Sequence, residues 1–112
     1  MSVEAAISET QTARLTLQTL ARNRIFTTTA DETVTAAESA LGSISAAFDS
    51  VQPPRESDRV HDQTSKLLSD SEDAVTAARI ATRRNDKSEI RHALADLFRV
   101  IKQLQQAKKQ LS

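Results

Sequence analysis

Residues 74–104 read AVTAARIATRRNDKSEIRHALADLFRVIKQL, and the pattern of this stretch decides the fold. Apolar side chains recur at alternating steps of three and four on both sides of its centre. Ala74, Ala78 and Ala81 lie before it, and Ile90, Leu94, Leu97, Ile101 and Leu104 after it. That spacing lines one face of an α-helix. Between the two runs, Asn85 tolerates the left-handed conformation that ends a helix. Asp86, three residues before Glu89, is a capping-box variant that starts the next one. The stretch therefore predicts two amphipathic helices joined by a tight turn.

The same periodicity continues outward in both directions. The third stripe begins at Val60, Thr64, Leu67 and Ser71, and the fourth runs on to Lys108 and Leu111. A second stripe is Val34, Ala37, Leu41, Ile44, Phe48 and Val51. The first is Val3, Ile7, Thr10, Arg14, Leu17 and Ala21, widened by Ala13 and Leu20. Pro53 and Pro54 end the second helix, since no helix continues through that pair. The connection from Arg22 to Ala30 lacks Gly and Pro, but Thr27, Thr28 and Thr29 are poor helix formers. Thr29 and Glu32 stand in capping-box relation there. The expected helices are 3–24, 30–51, 55–84 and 88–111. Their 3-4 spacing suits an all-α, antiparallel, up-down-up-down four-helix bundle, one domain over residues 1–112. The Ser and Thr residues of the first three helices read as a solvated face. Gly42, in mid-helix, either permits a close helix approach or is simply tolerated.

Composition agrees with this reading. With one Gly and two Pro in 112 residues, the chain lacks the turns of a β-sandwich or barrel. Lys and Arg balance Asp and Glu at 15 each, so no overall field steers nucleic acid or membrane to it. The absence of Cys removes disulfides, thiol chemistry and Cys-based zinc sites. No apolar run is long enough to span a membrane. Met1, Ser2, Val3 and Glu4 do not open a signal peptide. These features assign no compartment: the cytoplasm fits, and so does the cell envelope if a leader has been removed.

Two acid–His pairs suggest chemistry: Asp58 with His61, and Glu89 with His92. Spacing i, i+3 puts carboxylate and imidazole on one helix face, as in di-iron bundles. Both pairs, however, lie near the starts of consecutive antiparallel helices and so at opposite ends. About 23 residues separate His61 from the turn, on the order of 35 Å. His92 also lies about 160° from the Ile90 stripe. The expectation is two surface histidines and no metal site. His92 and Leu94 alone resemble the phosphorylated helix of histidine phosphotransfer domains, whose pattern is close to His-x-Leu-Lys-Gly. Ala95 and Asp96 stand where those domains carry Lys and Gly, and Asp96 would repel phosphate. With a single Gly, no phosphate-cradling loop exists.

Helix order, Pro53 with Pro54, and a short polar turn before the fourth helix resemble the small periplasmic b-type cytochrome bundles. That resemblance implies the bundle fold. The places comparable to their Met and His haem ligands are Ile7 and Lys108, so no haem is implied. Pro53 and Pro54, then His61, the Ala-rich run from Ala74 to Ala81, and Asn85 with Asp86 also resemble four-helix modules of bacterial envelope lipoproteins.

Charge is unevenly distributed. Residues 1–52 carry six acids and three bases, and residues 85–112 carry three acids and six bases. Up-down-up-down topology gathers Arg22, Arg24, Arg79, Arg83, Arg84, Lys87 and Arg91 at one end, against Asp31, Glu32, Asp86 and Glu89. Cations in the last turn of a helix favour its dipole, which accounts for Arg79, Arg83 and Arg84. The whole group is also the candidate surface for an anionic partner. The expected function is a non-enzymatic interaction or structural module without a cofactor. Its partner would be another protein, or a second copy through self-association. The alternatives are phosphotransfer through His92 and a metal- or haem-dependent redox bundle.

Overall fold

A computed structural model describes residues 2–50 and 58–111 of the chain. Four helices account for nearly all of them: α1 (Ser2–Ala21), α2 (Thr27–Asp49), α3 (Asp58–Arg84) and α4 (Lys87–Leu111). Pro53 and Pro54 lie outside the described residues.

The first reversal is made by a residue that the sequence reading passed over. Asn23 adopts a positive φ of 57°, and α1 stops at Ala21 instead of reaching residue 24. The Asn23 N–H donates to the Leu20 carbonyl at 2.9 Å, and the Arg24 N–H to that of Thr19 at 3.0 Å. Together these bonds form a Schellman motif, which satisfies carbonyls that the helix end would otherwise orphan. Ile25 then packs against the core and fixes the direction of the chain. Because the reversal is complete by this point, α2 begins at Thr27 and not at residue 30. Its N-cap, Phe26, has extended backbone and makes no side-chain cap. The expected cap between Thr29 and Glu32 therefore does not form. Thr29 lies inside the first turn, where its carbonyl accepts the Thr33 hydroxyl at 3.0 Å. The reversal between α3 and α4 follows expectation. Asn85 has φ 49°, and Asp86 Oδ1 accepts the Glu89 N–H at 3.0 Å.

Consecutive helices pack side by side, and α1 also packs against α4, which closes a four-cornered bundle. Lys108 near the end of α4 bridges Glu4 near the start of α1 at 3.4 Å, and Arg83 near the end of α3 bridges Asp31 near the start of α2 at 2.9 Å. These pairings set neighbouring helices antiparallel. The cross-section is a rhombus: α1 and α3 touch across the centre, whereas α2 and α4 do not. Side-chain size explains the short diagonal. The buried face of α1 includes Ala6, Thr10, Ala13 and Thr16, and that of α3 includes Ser71, Ala74, Ala78 and Ala81. Such faces approach closely. Larger side chains from the other two corners, Val34 and Leu41 of α2 and Leu97, Val100 and Leu104 of α4, fill the remaining space.

Several stripe assignments shift with this packing. Leu68 and Val75 are buried, whereas Val60, in the first turn of α3, is 44% exposed. Ala21 is exposed, and Arg14 and Ile7 sit at the edge of the buried face. The hydroxyl residues are not all solvated as expected, because Thr10, Thr16, Ser45, Thr64, Ser71 and Thr82 are buried. Four of them bond back into their own helix. Thr10, Thr16, Ser71 and Thr82 donate to the carbonyls of Ala6, Thr12, Leu67 and Ala78 at 2.6–2.8 Å. That bond removes the cost of burying the hydroxyl and frees the residue to act as a small core filler. Gly42 needs no such account. A Cβ there would meet only Glu72 Oε2, at 3.9 Å, so the glycine is tolerated and not required.

The noncontacting corners differ in charge. Helix α2 carries Asp31, Glu32, Glu38 and Asp49 and no Lys or Arg, a net of −4. Helix α4 carries Lys87, Arg91, Arg99, Lys102, Lys108 and Lys109 against Glu89 and Asp96, a net of +4.

Candidate functional site

The two histidines lie at opposite ends of the bundle, as the topology requires. They are not equivalent, however. His92 is exposed, and Glu89, Ala93 and Asp96 line the same shallow hollow. His61 is not a surface residue: its side chain is only 18% exposed. Its ring stacks on Phe48 with centroids 4.5 Å apart and planes 14° apart. Nε2 lies 3.4 Å from the Phe48 carbonyl oxygen, which accepts a hydrogen bond when that nitrogen carries the proton. The α2–α3 hairpin register causes this, since it sets the last turn of α2 against the first turn of α3. The carboxylate beside its Nδ1, at 3.9 Å, belongs to Asp62 and not to Asp58. Among the described residues, no group of three or more His, Asp or Glu is placed to hold a metal ion.

The seven cations expected at the α1–α2 and α3–α4 end separate into two groups. Arg79, Arg83 and Arg84 are committed internally. Arg79 Nε donates to both Glu38 carboxylate oxygens at 3.0 and 3.1 Å, and the Thr76 hydroxyl donates to the same carboxylate at 2.6 Å. Burial raises the Glu38 pKa. The bonds from Thr76 and Arg79, with the charges of Arg79 and Arg83, outweigh that effect and hold the carboxyl below its ordinary value. Arg83 pairs with Asp31 and Arg84 with Glu89, each at 2.9 Å. Arg22, Arg24, Lys87 and Arg91 are exposed and have no carboxylate partner among the described residues. Phe26, 84% exposed, stands in the same turn as Arg22 and Arg24. The α1–α2 turn thus combines free guanidinium groups with an aromatic ring, a combination common at protein interfaces.

A second feature lies along the seam between α1 and α4, which sequence reasoning missed. Arg14 of α1 sits 5.1 Å from the centroid of the Phe98 ring, and Lys102 of α4 sits 4.9 Å from it. Phe98 is 45% exposed. Toward the end where α1 starts and α4 finishes the seam widens into a groove of about 690 Å³, lined by Ile7, Gln11, Lys102, Gln105 and Lys108 among others. Periodicity could not reveal this surface, because it depends on pairing the first helix with the last.

The b-type cytochrome resemblance does not extend to the cofactor. Ile7 has no donor atom and rests against the core, while Lys108 is paired with Glu4. No helix is long and apolar enough to cross a membrane among the described residues. No protein-family model, curated protein or solved structure matches the chain, so its relatives do not define its role.

Proposed function

We propose that the chain is a non-enzymatic interaction module that holds an anionic partner at the end formed by the α1–α2 and α3–α4 turns. One observation carries this reading. Arg22, Arg24, Lys87 and Arg91 have no carboxylate partner among the described residues, whereas Arg79, Arg83 and Arg84 at the same end are all paired. Chain segments about sixty residues apart supply the free cations, and the bundle topology brings them to one end. The adjacent exposed Phe26 offers apolar area to a partner that charge has drawn in.

Binding of heparin and of oligoglutamate, measured at low and at physiological ionic strength, tests the proposal. Affinity is expected to fall with salt as the Debye length shrinks to ~8 Å. Reversing Arg22, Arg24, Lys87 and Arg91 to Glu together is expected to abolish binding with an unchanged helical circular dichroism spectrum. Arg83 and Arg84 are left intact because their reversal would break ion pairs to Asp31 and Glu89. Absence of binding at low salt, or equal binding by the reversed variant, overturns the reading.

A further inference from the structure

Two of the four lateral seams of the bundle are opposite in character. Across α2–α3, side chains from the two helices satisfy one another: Glu38 with Arg79 and Thr76, Asp31 with Arg83, and Asp49 with Ser65. Across α1–α4 the middle of the seam holds no ion pair. Arg14 and Lys102 approach only the ring of Phe98, and their charges are answered by no carboxylate among the described residues. The bridge from Lys108 to Glu4 closes this seam near one end. Between that bridge and Phe98 lies the groove of about 690 Å³, with Ile7 and Gln11 on its α1 wall and Lys102 and Gln105 on its α4 wall.

We infer that the α1–α4 seam is a docking surface for an acidic amphipathic helix of a partner protein. The inference rests on the reading of the chain as a module for anionic partners, and it names the partner's shape and polarity. A valley between two packed helices accepts a third helix at the ordinary spacing of ~8–10 Å. The exposed ring of Phe98 lies along this valley with Arg14 and Lys102 beside it, and Ile7 stands farther along its α1 wall. The complement is an apolar stripe flanked by carboxylates, which is the pattern of helix-in-groove recognition. The cations already sit against apolar surface, so a partner carboxylate would meet them with part of their hydration removed. A second copy of this chain is a poorer occupant. Its most acidic helix, α2, already commits Asp31, Glu38 and Asp49 to partners on α3 of its own molecule.

The probe is a synthetic helical peptide of about 20 residues, ~30 Å long at ~1.5 Å per residue, with Leu on one stripe and Glu flanking it. Titration into the full chain, followed by fluorescence anisotropy, is expected to show saturable one-to-one binding. The double substitution Phe98→Glu with Lys102→Glu touches only exposed side chains, so the helical spectrum should not change. It is expected to weaken peptide binding by at least about tenfold. The quadruple reversal at the basic end should change it by less than about threefold, since exposed, remote charges contribute little. A peptide with Lys in place of Glu should not bind.

Each contrary result has one meaning. Peptide binding that survives the seam substitutions overturns the seam and leaves the basic-end reading standing if heparin still binds there. Binding to phosphatidylserine vesicles but not to the peptide overturns the helix in favour of a lipid surface. A dimer in sedimentation that the seam substitutions dissolve reassigns the surface to a second copy. Peptide binding without heparin binding overturns the basic-end reading alone, and failure of both probes overturns both.

Discussion

Replacing Leu97 by Ala tests the bundle at its least forgiving point. Leu97 is fully buried midway along α4, and its neighbours on that face, Ala93, Val100, Ile101 and Leu104, are buried too. The substitution removes buried methyl groups and leaves a cavity, together worth about 2–5 kcal/mol. The geometry puts the cost in the upper half of that range. Helices α1 and α3, against which α4 packs, contribute mainly Ala, Ser and Thr and already touch across the short diagonal, so they have little room to move inward. A chain of 112 residues has a total stability of roughly 6–17 kcal/mol at ~0.05–0.15 kcal/mol per residue. Its unfolding entropy is about 0.24 kcal/mol/K at ~2.1 cal/mol/K per residue, so the variant should melt about 15–21 °C lower. Thermal unfolding by circular dichroism, with Leu15→Ala as the exposed control, measures the difference. The control should move stability by less than ~0.5 kcal/mol. Equal melting temperatures for the two variants would mean that α4 turns a different face to the core.

Two more substitutions probe the polar side of the packing. The Glu38 carboxyl is held below its ordinary value of 4.5, so its contribution is present above that pH and is lost as pH falls through the lowered folded value. Glu38→Gln should therefore lower the urea midpoint near neutrality and match the parent chain in acid; a gap independent of pH would remove the charge from the account. Thr35 Oγ1 is buried and has no hydrogen-bond partner among the described residues. Thr35→Val keeps the shape and removes the unsatisfied hydroxyl, so the chain should gain about 1 kcal/mol in denaturant unfolding, and a loss of stability would show that the hydroxyl is satisfied in solution.

The parts of the fold legible in the sequence were those set by neighbours along the chain. Periodicity separated the four helices, and Asn85 with Asp86 announced a turn built from residues a few positions apart. The first turn misled because Asn23 precedes no obvious breaker, and three Thr residues offered a plausible cap further on. Ile25 decided the matter by packing into the core, which local sequence does not encode. Stripes extrapolated at fixed spacing kept Leu41 and Leu97 but missed Leu68 and Val75, since each helix meets its neighbours over a face wider than one line. Of the basic end, the residues and their gathering were readable. The division into paired and free cations was not, because the carboxylates that claim Arg79 and Arg83 come from the opposite helix of a hairpin. The ring of Phe48 over His61, and that of Phe98 under Arg14, likewise follow from register between helices.

Antiparallel packing has an electrostatic consequence across the bundle rather than along it. Each helix of about 25 residues carries roughly half a charge at either end, a macrodipole of about 19 electron-ångströms, and opposed neighbours cancel. Charges of −4 on α2 and +4 on α4 do not cancel, because those helices occupy the far corners of the rhombus. With sides of ~8–10 Å, the long diagonal is about 14 Å, which gives a transverse moment near 60 electron-ångströms, roughly three times that of any one helix. A neutral molecule so polarised is turned by a polyanion before the two touch, and it arrives with its α4 edge leading. Its net charge of zero therefore conceals an orientation, and the frequency of productive encounters should depend on ionic strength even though the molecule as a whole feels no pull.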